Sequence, residues 1–202
     1  MKNNEFNTII EPSQGIFKEK GSRFIAFSIP VSTEEEIKST LETMRKKYHD
    51  ARHICYAYIL GEDEKIEHAN DDGEPTGTAG KQILKQLQIK ELTNILVVVV
   101  RYFGGVLLGT GPLSQAYREA TNCSLENNKM IKREIQLKCN ITFQYEEMNT
   151  VMVALKKLQA TVISQKIDME CSIIAQFPKR NEEMLFSQFK SIESINIQMI
   201  ES

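Results

Sequence analysis

The chain has 202 residues, 26% of them charged, and a formal net charge of −2; this excludes a polycationic nucleic-acid wrapper while leaving room for a local basic patch. A hydrophobic fraction of 41% excludes a disordered chain. The length suits one full domain, or a medium one and a small one.

The first pair of expected strands spans Gly15 to Glu19 and Ser22 to Val31, the second alternating better through Phe24, Ala26 and Ser28. A helix follows. Ser32 or Thr33 is placed to cap it, with Glu35 or Glu36 as the capping-box partner, and Ile37, Leu41, Met44 and Tyr48 form one apolar stripe. His53 to Leu60 reads as a strand, Gly61 to Thr78 as a long polar loop, and Ala79 to Ile89 as a short helix. Ile95 to Val100 is a β-branched run without alternation, the pattern of an interior strand covered on both faces. It is also the longest strongly apolar run, far short of the roughly 20 residues a membrane helix requires. After a glycine-rich turn, Leu113, Ala116, Tyr117 and Ala120 mark another helix.

All ten glycines precede residue 112. This composition break, with the turn-like Asn127-Asn128-Lys129, predicts two domains, 1–130 and 131–202. In the second, Ile135, Leu137, Cys139, Ile141 and Phe143 alternate with polar residues as in a half-buried strand. Val151, Leu155 and Leu158 make a helical stripe. Strands are expected at Thr161 to Ile167 and Glu170 to Phe177, then a helix capped by Asn181 with Glu182 and Glu183 in its first turn. A final strand runs through Ile195, Ile197 and Met199. The order β-α-β-β-α-β is that of a ferredoxin-like domain.

Two loops concentrate the chemistry. In Asn70 to Gly80, Asp71, Asp72 and Glu74 place three carboxylates within four residues, and packed carboxylates call for a cation, a basic partner or open water. One reading is a Mg²⁺ site holding a phosphate-bearing ligand through waters; the other is an Asp-Gly turn with solvated acids and a capped helix start near Thr78. In Arg101 to Pro112, glycines at a strand-to-helix transition suit an anion cradle, with Arg101 as a clamp. The alternative is a glycine turn that passes close to the first loop, with Arg101 paired to Asp71, Asp72 or Glu74. No P-loop or G-x-G-x-x-G pattern is present.

His53 opens an apolar strand, and His68 lies three residues before Asp71, where contact would tune a general base. Tyr56, Tyr58, Tyr102 and Phe103 would stack bases if exposed, but core packing explains Tyr56 or Tyr58 at least as well. The four cysteines, Cys55, Cys123, Cys139 and Cys171, form no C-x-x-C pair and read as core fillers of a reduced compartment. With no signal-peptide pattern at the N-terminus, a cytoplasmic location without a membrane span is expected.

Ser22-Arg23-Phe24-Ile25-Ala26, His53-Ile54-Cys55-Tyr56-Ala57-Tyr58, Asp71 to Gly80 and Val99-Val100-Arg101-Tyr102-Phe103-Gly104-Gly105 resemble the Impact/YigZ (UPF0029-type) family in its bacterial two-domain form. The resemblance implies an α+β architecture: an N-terminal domain like domain 2 of ribosomal protein S5, then a ferredoxin-like domain, a pair similar to domains IV and V of elongation factor G. Asp71, Asp72, Glu74, Arg101, Tyr102, Gly104, Gly105, Gly109 and Gly111 match the family signature. Gln82 replaces a usual proline, Pro112 a glycine and Gln115 an arginine; if that arginine meets an anion in the family, this chain has lost a charge there.

Eukaryotic members regulate translation. The expected function is therefore a binding or regulatory protein whose partner is the ribosome, RNA or a translation-associated protein. The first alternative is Mg²⁺-dependent handling of a phosphorylated small molecule, with Asp71, Asp72 and Glu74 at the metal and Arg101 on the ligand. The second is RNA binding through residues 131–202, which contain no basic run.

Overall fold

The computed structural model describes residues 4–63, 65–189, 192 and 194–200. The chain is α+β and divides into two compact units, Phe6–Arg133 and the segment from Glu134 onward together with the first residues up to Glu5. The elements of the first unit are β1 (Glu5–Ile9), β2 (Ser13–Glu19), β3 (Ser22–Pro30), α1 (Glu34–Lys47), β4 (His53–Leu60), β5 (Ile66–Asn70), α2 (Gly80–Ile89), β6 (Ile95–Tyr102), α3 (Thr110–Glu126) and β7 (Met130–Glu134).

Five of these strands form an antiparallel sheet in the order β2-β3-β6-β4-β5, and β1 pairs with β7. Alternate side chains of a strand face opposite sides of its sheet. Val97 and Val99 of β6 accordingly join a core with Ile83 and Leu87 of α2 and Ala116, Tyr117 and Ala120 of α3. Leu96, Val98 and Val100 join Ile37 and Met44 of α1 on the other face. Helices thus cover β6 from both sides, which explains its unbroken β-branched run. At the start of α1, Thr33 accepts from the Glu36 N–H at 3.2 Å, and the Glu36 carboxylate reaches the Ser32 N–H at 2.7 Å.

The expected loop over 61–78 contains a strand instead. β5 is an edge strand with Ile66, Glu67 and His68 all exposed, so it carries no apolar alternation to betray it. β1 and the mostly polar β7 were likewise absent from the sequence reading. β6 also runs two residues further than its apolar stretch and takes in Arg101 and Tyr102.

The second unit contains β8 (Gln136–Gln144), α4 (Met148–Lys157), β9 (Thr161–Lys166), β10 (Glu170–Pro178), α5 (Glu182–Phe189) and β11 (Asn196–Ile200). Its antiparallel sheet has the order β11-β8-β10-β9. Cys139, Ile141 and Phe143 of β8 pack with Ile173, Ala175 and Phe177 of β10 and with Val151, Leu155 and Leu185 of the helices. Asn181, expected as a helix N-cap, ends a 3-10 turn, and its amide donates to the Leu158 carbonyl at 2.9 Å.

Cys55, Cys139 and Cys171 are buried, and Cys123 is partly exposed. Burial pushes the Cys139 thiol up to about 11 and the Cys55 thiol higher still. Thiolate is the reactive form, so Ellman's reagent at pH 8 is expected to modify Cys123 alone in the native protein and all four thiols after urea unfolding. Labelling of native Cys55 at the Cys123 rate would contradict this burial.

Candidate functional site

Register brings the two motif loops together. His53, at the start of β4, lies opposite Arg101 of β6, and Arg101 lies opposite Phe24 of β3. By strand parity, the three side chains share the sheet face that carries α2 and α3. The 71–79 segment leaves β5 along the same end of the sheet before entering α2.

Each carboxylate of this segment has a separate task. Asp71 accepts from the backbone N–H groups of Gly77 at 2.8 Å, Ala79 at 3.0 Å and Gly80 at 2.8 Å. Ala79, the residue at the N-cap of α2, has no side-chain oxygen. Asp71 therefore supplies the cap from a distance and places its charge at the positive end of the helix. The Asp72 carboxylate accepts from the Ile54 N–H at 2.6 Å, while its carbonyl lies 2.8 Å from His53 Nδ1. Asp72 and Gly73 turn the chain with φ of 41° and 83°; the left-handed value suits glycine and is tolerated by aspartate.

Glu74 reaches the interior. Its Oε1 accepts from Arg101 Nη1 at 2.6 Å and from the Tyr117 hydroxyl at 2.8 Å, and its Oε2 lies 4.0 Å from His53 Nε2. The side chains of Glu74 and Arg101 are only 4% and 7% exposed. The Arg101 guanidinium packs over the rings of Phe24 and Phe103, and its Nε has no hydrogen-bond partner. The Cys55 thiol donates to the Tyr117 oxygen at 3.2 Å and approaches the Asp71 carbonyl at 3.0 Å. Burial, reinforced by the neighbouring Cys55 and Glu74, pushes the Tyr117 phenol far up, so it remains a protonated donor to Glu74.

The glycine loop is anchored by its first glycine. A Cβ on Gly104 would sit 1.9 Å from the carbonyl carbon of Gly21, and the Gly104 N–H donates to Ser22 Oγ at 3.2 Å. Gly105 has φ of 84° and faces open space. Gly109 occupies the N-cap of α3 and Gly111 its first turn, with no close packing against either. Beyond the anchor, Phe103, Val106 and Leu107 are exposed, Leu107 by 86%.

The predicted residues therefore divide. Glu74, Arg101 and His53 meet, joined by Tyr117, which the sequence places only on a helix, and by Cys55, which it reads as a core filler. A buried tyrosine needs a partner for its hydroxyl, and that requirement was the available signal for Tyr117. Tyr102 faces the α1 side, where its hydroxyl bonds Asp50 at 2.8 Å and Arg23 lies over its ring. His68 makes no contact with Asp71: it stacks on Tyr56 and Tyr58 on the α1 face. Gln82 donates to the Gly77 carbonyl at 2.9 Å, bracing the acidic loop.

Of the two readings of the acidic loop, the Mg²⁺ site at Asp71, Asp72 and Glu74 finds no supporting cluster. Among the described residues no group of three or more His, Cys, Asp or Glu side chains is placed to hold a metal ion. The physical reason is that backbone donors, Arg101 and Tyr117 take the carboxylate oxygens in three different directions. These residues do not fit Mg²⁺.

The Impact N-terminal domain matches residues 20–125. The IMPACT family member YvyE of Bacillus subtilis is 36% identical over 138 residues, covering 68% of this chain and 64% of that protein. An IMPACT family member of Haemophilus influenzae is 32% identical over 202 residues, covering 96% and 97%. A crystal structure described as that of a hypothetical protein is similar with a TM-score of 0.77 and 28% identity over 99% of both chains.

Proposed function

The chain belongs to the Impact family, and from that premise we propose that it is a non-enzymatic binding or regulatory protein linked to translation. Its partner in this reading is the ribosome, RNA or a translation-associated protein, and its place of action is the cytoplasm. No helix among the described residues is long and apolar enough to cross a membrane.

One observation carries the preference for binding over turnover: Asp71, Asp72 and Glu74 all accept hydrogen bonds from the protein's own groups. The two signature loops brace each other through Glu74 and Arg101 and hold an apolar tip, Phe103, Val106 and Leu107, toward solvent. An exposed apolar tip suits recognition of a macromolecule. The order and pairing of the strands further support reading the first unit as S5 domain 2-like and the second as ferredoxin-like, the pairing seen in domains IV and V of elongation factor G. Against Mg²⁺-dependent handling of a phosphorylated small molecule, both Asp71 oxygens and one Asp72 oxygen already accept backbone N–H groups.

The test is sedimentation of the tagged full chain through a sucrose gradient of lysate from its own cells, after mild crosslinking. The expected result is co-migration with ribosomal particles, lost in a Leu107→Asp variant. Protein that stays at the top of the gradient and turns over a phosphorylated metabolite would overturn the reading.

A further inference from the structure

The α1 face of the five-stranded sheet is covered only in part. α1 packs over the central strands through Ile37 and Met44 and leaves the β4–β5 margin open. There Tyr56 and Tyr58 of β4 and His68 of β5 form one near-parallel set of rings. His68 lies 5.3 Å from Tyr58 and 5.8 Å from Tyr56, with interplanar angles of 25° and 29°. A cleft of about 500 Å³ opens over these rings, and Glu34, Glu35, Lys38, Glu42 and Arg45 of α1 line its other wall.

The polar groups of this cleft are uncommitted. Among the described residues, the two phenols and the imidazole make no hydrogen bond, and the five α1 charges form no ion pair. Tyr56 and Tyr58 pack against the α1-side core yet remain half-buried, and His68 is exposed. Charge is ordered along the wall. Glu34 lies at the Tyr58 end, close enough to help burial raise that phenol. With a rise of about 1.5 Å per residue, Lys38 and Arg45 follow about 6 Å and 16 Å further along the helix axis.

We propose that this cleft binds a nucleotide. The base stacks on the Tyr56–His68–Tyr58 rings, its amino edge meets Glu34, and the phosphate is held by Lys38 and Arg45. The three features require different parts of one ligand. A flat π system matches the rings, donors on its edge match the carboxylates, and an anionic group matches the two cations. A basic peptide would leave Lys38 and Arg45 opposed by like charge, and a simple anion would face Glu34 and Glu42. A nucleotide satisfies all three, whether free or within single-stranded RNA. The site lies on the sheet face opposite the Glu74–Arg101 centre and does not depend on the translation reading.

Calorimetric titration of the full chain with AMP, GMP, CMP and UMP, their nucleosides, and a single-stranded RNA hexamer tests the proposal. At least one mononucleotide is expected to bind, with its nucleoside weaker. His68→Ala is expected to weaken binding about tenfold, the scale of one lost base–ring stack. Lys38→Glu/Arg45→Glu is expected to abolish the preference for nucleotide over nucleoside. These three side chains are exposed, and an unchanged urea midpoint confirms that the variants fold. Binding of the hexamer alone, with the same sensitivity to the variants, also supports the site and identifies RNA as the source. Absence of binding at millimolar concentration, or binding indifferent to both variants, overturns it.

Discussion

Glu74→Ala is expected to destabilise the first unit by about 3–5 kcal/mol, the largest effect of any single substitution proposed for this chain. The Glu74 carboxylate is almost wholly enclosed and accepts from Arg101 and Tyr117 at 2.6 and 2.8 Å. Its removal strands the Arg101 guanidinium, already without a partner at Nε, in a setting closed to water. The cost comes chiefly from that uncompensated charge and less from the lost attraction, because desolvation offsets much of a buried pair's Coulomb gain. The double variant Glu74→Gln/Arg101→Met, which removes both charges, should therefore recover a large part of the loss. Urea unfolding at constant m-value measures both. A single-variant loss under about 1 kcal/mol would show that water screens the pair as it does at a surface.

Asp71→Ala is expected to cost about 3 kcal/mol, since three backbone N–H groups at the entry of α2 lose a charged acceptor together. The neighbouring sequence holds no substitute: Ala79 has no side-chain oxygen, and the Thr78 hydroxyl already donates to the Pro75 carbonyl at 2.6 Å. Asp71→Asn keeps an acceptor oxygen and should recover about half of the loss. Amide hydrogen exchange resolves the effect locally, with faster exchange at Gly77, Ala79 and Gly80 in Asp71→Ala. Unchanged protection there would mean that solvent, and not Asp71, sets the helix entry. A metal site would behave differently: its carboxylates would repel one another without the ion, and Asp71→Ala would be neutral or stabilising in metal-free buffer.

The same residues show how far sequence reasoning reached. The apolar stripe of α1, the two-sided burial of β6 and the β-α-β-β-α-β order of the second unit follow from periodicities of 3.6 and 2, which are local properties of the chain. β5 escaped because an edge strand exposed on both faces needs no apolar pattern. The two motif loops meet through the Arg101–Glu74 pair, one of the alternatives that the sequence leaves open. Tyr117 was legible only as a core residue, since nothing near it in sequence reveals that its hydroxyl meets a carboxylate 43 positions away. Tyr56 and Tyr58 stood open between core and surface, because their exposure depends on how far α1 extends across the sheet.

The kind of most elements and the family follow from the residues alone, because short-range patterning and motif spelling are written along the chain. Only the tertiary structure decided what the acidic motif does. Three adjacent carboxylates have the same spelling whether they gather around a cation or part toward separate donors. The register of His53 against Arg101 and the entry of α2 beside Asp71 place those donors in three directions. Desolvation then makes the Glu74 pairing obligatory, since a buried carboxylate without its donor costs more than the turn that brings the two together, while Asp71 and Asp72 stay partly exposed.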